Sequence, residues 1–213
     1  MGRFLNADGY ASTGQGFLGY NMFAYCGNNP ILFQDSLGSL IEIANNATDK
    51  EIEQYVKAIT YLKTSETAAA IINQLEASDV IIRIEFVYDN NTYYDNTTKT
   101  IYFDVYSGMC LSGGRGVQSP ALGLLHEMGH ALQDINEPLL NVNDPRFSDK
   151  YRLGIEQANL IRHEIPVARE LNEPVRLIYN SSEGYCYPYR LRSSTQRVLG
   201  ITRTQRNCSI LLE

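Results

Sequence analysis

Residues 126 to 130 read His-Glu-Met-Gly-His, and this spacing constrains the chain more than any other feature. Positions four apart on an α-helix lie one above the other, so both imidazoles face one side and can bind one metal ion. Neutral imidazole suits Zn²⁺. A glutamate beside the first histidine can take a proton from water whose pKa the ion has lowered to about 7. The chain contains only three histidines, and two of them stand here.

The flanking residues predict the helix itself. Ser119 supplies a cap acceptor, and Pro120 is a first-turn residue whose missing N–H costs nothing. Leu122, Leu125, Met128 and Leu132 then recur every three or four positions as an apolar stripe. A helix half buried in this way holds its ligands still.

A catalytic zinc needs a third protein ligand and an open position. Gln133 to Pro138 contain no histidine, so that ligand lies further on. The segment from Ile155 to Arg176 reads as a helix interrupted or restarted near Pro166, and it offers Glu156, His163, Glu164 and Glu170. His163 is the remaining imidazole. His163 and Glu164 are adjacent, about 100° apart on a helix, so the two do not both bind one ion.

The Ser-Pro start before His-Glu-x-Gly-His-Ala, followed by Glu-Ile-Pro-Val-Ala-Arg-Glu-Leu-Asn-Glu-Pro-Val-Arg at 164–176, resembles the zinc metallopeptidases of bacterial effectors and polymorphic toxins. These are relatives of the effectors that clip host kinases. The resemblance implies that Glu164 completes a zinc site with His126 and His130, with Glu127 as the base. Where that family has a glycine before its last glutamate this chain has Asn172, and a helix C-terminus accepts either residue in a left-handed conformation. It also implies an α+β, zincin-like fold with the active-site helix packed on a small β-sheet. The activity implied is hydrolysis of peptide bonds in a protein or peptide substrate.

Residues 2–38 are dense in Gly, Asn and aromatics and read as a loop-rich arm with short β pieces. Their GRFLNAD, GYNMFAYCGNNP and closing Asp35-Ser36-Leu37-Gly38 resemble the end of an Rhs/YD-repeat core, with Ser36 where that family has proline. In that family the core builds a β-shell around a variable payload that starts directly after this motif. The resemblance divides the chain into residues 1–38, the end of the core, and 39–213, a toxin-like metallopeptidase domain. It implies an upstream Rhs shell and an immunity protein as partners, and secretion or contact-dependent delivery as part of a larger polypeptide.

Composition narrows the classes. Hydrophobic content of 44% supports a packed core, and a net charge of −6 argues against a nucleic-acid binder. No apolar run reaches the 18 or so residues needed to span a bilayer, and Met1 leads into no secretory stretch. Cys26, Cys110, Cys186 and Cys208 show no CxxC pairing, and free buried thiols are expected rather than disulfides.

Between these motifs, 48–75 reads as one or two helices capped by Thr48 and Asp49. Val80 to Tyr88, Thr92 to Tyr94 and Thr100 to Val105 read as strands. Thr100 to Tyr106 is expected to border the cleft as an edge strand, and Gly108 to Gly116 to form a flexible loop at its rim. Tyr179, or one of Tyr185, Tyr187 and Tyr189, is the candidate to stabilise an oxyanion, the alternative being packing residues or exposed loop aromatics. Arg176 is expected either to hold Glu164 or the substrate or to form a surface salt bridge. The chain is thus expected to be a zinc metalloendopeptidase. Its rivals are a zinc amidase acting on peptidoglycan cross-links and a non-catalytic Rhs-core remnant.

Overall fold

The computed structural model describes residues 41–137 and 148–199, with the backbone alone at 181–190. The chain divides into two compact units, Met1–Ser39 and Leu40–Glu213. The Rhs-like arm lies outside the described residues, as do Cys26, Cys208 and the side chains of Tyr185, Tyr187 and Tyr189.

Thr48 caps α1 (Asp49–Leu62) through a capping box with Glu51, and Ser65 caps α2 (Glu66–Glu76). A short strand, β1 (Ile41–Ile43), precedes them, and β2 (Ile82–Phe86) follows. In β2 the alternation Ile82, Arg83, Ile84 turns both isoleucines into the core and leaves Arg83 exposed. The sheet order is β1-β2-β4-β3. β1, β2 and β4 (Thr100–Phe103) run parallel, while β3 (Tyr93–Asp95) pairs antiparallel with β4 and forms the edge. The cleft is therefore bordered by β3, not by Thr100 to Tyr106. β4 carries the fully buried Ile101 and Phe103 and lies inside the sheet, where no peptide can reach its backbone.

Gly108 to Gly116 is likewise not a flexible loop. It belongs to a hairpin of β5 (Ser107–Leu111) and β6 (Gly116–Gln118), joined by a 3₁₀ turn at Ser112–Gly114. β7 (Ser182–Arg190) and β8 (Val198–Leu199) complete a second sheet in the order β7-β5-β6-β8. Glycines hid this strand from a propensity reading. Gly108 sits where a Cβ would fall 2.5 Å from the Gln118 carbonyl, so the hairpin needs its missing side chain. Cys110 is buried and disulfide-bonded, contrary to the expectation of free thiols. Sequence spacing could not show this, because its partner comes from elsewhere in the chain and only pairing in space brings the two together.

Ser119 caps α3 (Pro120–Asn136), accepting from the Leu122 amide at 3.2 Å. The predicted stripe is buried, and burial extends to thirteen of the seventeen residues. The helix is enclosed rather than half buried. α1, α2 and β4 pack against it in the main core, and a later segment covers the other side. That segment is α4 (Asp149–Asn159), a π turn at Leu160–Glu164, and α5 (Ile165–Glu170). The interruption expected near Pro166 is this π turn, which takes in one extra residue just before the proline.

The end of α5 explains much of the motif that follows. Asn172 is left-handed at φ 53°, its amide reaches the Arg169 carbonyl at 3.2 Å, and the Glu173 amide reaches Ala168 at 2.7 Å. This is the paired hydrogen-bond closure of a Schellman turn, and asparagine serves there as glycine would. The turn delivers Glu173, itself buried, to the start of α3. It accepts from the Ser119 amide at 2.7 Å, the Ser119 hydroxyl at 2.5 Å and the Tyr61 hydroxyl at 2.9 Å. A carboxylate at a helix N-terminus also complements the helix dipole. Glu170 does the same for α2, binding the Ser65 and Thr67 hydroxyls. Among the described residues, no helix is long and apolar enough to cross a membrane.

Candidate metal centre

The two histidines of α3 converge as their spacing requires. His126 Nε2 and His130 Nε2 lie 3.2 Å apart. Glu156 Oε2, from α4, lies 3.1 Å from the first and 3.0 Å from the second. These three atoms form a nearly equilateral triangle, and the three residues can hold a metal ion. A tetrahedral ion with ligands at 2.0–2.2 Å needs donor atoms spaced by about 3.3 Å, so the triangle is close to the required size. Both histidines are buried, while the Glu156 side chain keeps 15% exposure, which leaves one side facing a cleft of about 270 Å³.

Glu164 does not join the triangle. It stands on the far side of His126, with Oε2 2.9 Å from Nδ1, and it is clamped by Arg176 and Gln118. The resemblance assigned the third position to Glu164; the geometry places Glu156 there. The π turn between the two glutamates is the physical reason. On a regular helix, residues eight apart drift by about 80°, but the wide turn removes much of that drift. Both carboxylates then approach the same imidazole, one at each nitrogen. The remaining candidates are elsewhere. Glu170 caps α2, and half-buried His163 packs beside Gly129, where a Cβ would lie 3.0 Å from its Cδ2.

Glu127 is 8% exposed and lines the same cleft. Its Oε2 accepts the Tyr94 amide of edge strand β3 at 3.0 Å. Burial raises its pKa, against the opposing pull of His126 and His130. Around the histidines the balance reverses. Burial opposes the charged form of His126, yet Glu156 and Glu164 raise its pKa to about 10. Burial also opposes ionisation of Glu156, and the two histidines outweigh it and hold that carboxyl well below its usual range. Three carboxylates crowd two imidazoles, and a field that favours a proton there favours a dication too.

Tyr179, in the 3₁₀ turn Tyr179–Ser181, is half-buried and lines the cleft. Its ring stacks on His126 at 5.9 Å between centroids. Burial first, then Glu156 and Glu127, raise its pKa, so its hydroxyl stays a donor. Gln157 fixes the approach, accepting the Tyr179 amide at 2.9 Å and donating to the Leu177 carbonyl at 3.1 Å.

Sequence reasoning missed two residues at this site. Asp134 is buried and accepts from the Tyr94 hydroxyl at 2.7 Å and Lys99 Nζ at 2.6 Å. Its position one turn beyond His130, on the same helix face, was the available signal. Tyr94 thus meets α3 twice, by backbone at Glu127 and by phenol at Asp134. No side-chain periodicity encodes that contact.

Gly129 lets the second layer approach. A Cβ there would lie 2.2 Å from Asn159 Oδ1, and the Asn159 amide donates to the His126 carbonyl at 2.8 Å. Gly129→Ala gains roughly 1 kcal/mol of helix propensity. It costs about 1–3 kcal/mol in overpacking, and displacing Asn159 strands buried polar groups worth about 1–3 kcal/mol more. Net destabilisation is expected in urea unfolding of the metal-free protein; a higher midpoint would show that the helices part freely.

No protein-family model, curated protein or solved structure matches this chain.

Proposed function

We propose that this chain carries a zinc-dependent metalloendopeptidase of zincin-like arrangement, the payload of an Rhs-type toxin. The observation that carries the reading is the triangle of His126, His130 and Glu156, with Glu127 on the same helix and in the same cleft. Two imidazole nitrogens and one carboxylate form a donor set used by catalytic zinc sites. Zinc held by those three residues would supply Lewis-acid polarisation of the scissile carbonyl and acidify water. Glu127 takes the proton of the attacking water and delivers it to the leaving amine, a role suited to a carboxylate whose pKa burial has raised. Its hydrogen bond to the Tyr94 amide fixes the carboxylate's orientation while one oxygen remains for the proton. Tyr179 donates from its hydroxyl to the oxyanion that develops on the former carbonyl.

The Rhs shell, an immunity protein and delivery as part of a larger polypeptide rest on the resemblance of residues 2–38. A second reading, a zinc amidase acting on peptidoglycan cross-links, draws support from the disulfide at Cys110. Such bonds persist in oxidising compartments such as the periplasm.

Purified full chain offered Zn²⁺ is expected to bind one equivalent and to cleave members of a mixed peptide library, with cleavage lost on chelation and restored by zinc. Muropeptides in the same assay separate the amidase reading. Failure to bind zinc stoichiometrically would remove the basis of both.

A further inference from the structure

Glu164 is 2% exposed, and each of its oxygens meets two donors. Oε1 accepts from Gln118 Nε2 at 2.9 Å and from Arg176 Nε at 3.1 Å. Oε2 accepts from Arg176 Nη2 at 2.5 Å and lies 2.9 Å from His126 Nδ1. The last approach is at hydrogen-bond distance but bent from the N–H axis. An ionised carboxylate can only accept. A proton shared with Glu164 therefore sits on Nδ1, and Nε2 keeps its lone pair on the side of Glu156 and His130.

Arg176 reaches His126 by a second route. Its guanidinium lies 4.8 Å from the centroid of the Tyr179 ring, which stacks on the opposite partner, His126. One arginine thus contacts both groups that flank the ring. Among the described residues, His130 has no such support. Its Nδ1 is buried without a hydrogen-bond partner among the described residues.

We propose that Arg176 and Glu164 are positioning residues. Glu164 receives the Nδ1 proton of His126 and fixes the tautomer and angle at which Nε2 meets the ion, while Arg176 holds Glu164 and Tyr179 in place. The inference rests on the zinc reading above and deepens it. It also gives two residues of the 164–176 motif a task that a bare ligand list leaves unassigned. Carboxylate partners of ligating histidines act in this way in other sites. Lysine cannot replace Arg176, because a point charge neither grips both carboxylate oxygens nor stacks on a ring.

The test compares wild type, Glu164→Gln and Arg176→Lys, each as the full chain, by zinc competition with a chelating indicator. Nitrogen-15 NMR of labelled histidines in the zinc-loaded wild type is read alongside. Zinc affinity is expected to fall by about 10–100-fold in both variants. In the wild type, His126 is expected to bind zinc through Nε2 and to show a slowly exchanging Nδ1–H, while the His130 Nδ1–H exchanges faster. That spectrum does not depend on any variant folding. Coordination through Nδ1, or a His126 proton exchanging as fast as that of His130, overturns the proposal. Unchanged affinity in both variants overturns it too and leaves the zinc reading standing. Wild type that takes up no zinc sinks the zinc reading and this inference together.

Discussion

Glu127→Gln is expected to bind zinc with wild-type stoichiometry and to lose hydrolysis by about 10²–10⁴-fold, the usual worth of a positioned acid–base group. The substitution keeps the shape of the side chain. An amide oxygen can still accept the Tyr94 N–H that Glu127 accepts at 3.0 Å, so strand β3 has no cause to move. Only proton transfer is removed. A surface or packing role for Glu127 predicts the opposite pattern, with activity tracking stability. The measurement is kcat/KM on the best library peptide beside zinc content in the same preparation. Wild-type turnover in Glu127→Gln would end the case for a glutamate base.

Glu156→Ala is expected to cost more zinc affinity than Glu164→Gln, beyond the roughly 100-fold that marks the upper effect of a supporting partner. Its oxygen is the third corner of the triangle, 3.0 and 3.1 Å from the two Nε2 atoms. The Glu164 oxygens are already occupied by Arg176, Gln118 and the far nitrogen of His126. The side chain of Glu156 keeps 15% exposure, so truncation leaves no sealed cavity and folding should survive. Zinc retained after gel filtration reads the difference directly. If Glu156→Ala keeps its metal and Glu164→Gln loses it, the ligand assignment implied by the resemblance is restored.

The two predictions divide along a line drawn by the physics of helices. Within α3, spacing is geometry. The cap at Ser119, the proline after it, the apolar stripe and the i, i+4 histidines all follow from a 3.6-residue repeat, and the structure has each of them. The same local logic found α1, α2 and the left-handed Asn172, whose φ of 53° closes α5. It failed where glycines carry a hairpin, at β5 and β6, because the reason for Gly108 is a neighbouring strand's carbonyl. It failed again on the cleft edge, since nothing in the side-chain pattern of Tyr93–Asp95 says that it, and not β4, ends the sheet.

The candidate ligand set shows the same division. The sequence alone determined that two imidazoles share a helix face with a carboxylate between them in order, because one regular helix dictates where its side chains point. It also supplied Glu156 and Glu164 as candidates. Which of them meets the imidazole nitrogens on the cleft side was decided by tertiary structure. A π turn shifts the rotation between them, Gly129 admits the second helix to contact, and Arg176 claims the carboxylate that would otherwise compete. The π turn is local, but the contacts of Gly129 with Asn159 and of Arg176 with Glu164 join separate segments, and such relations exist only once the segments pack.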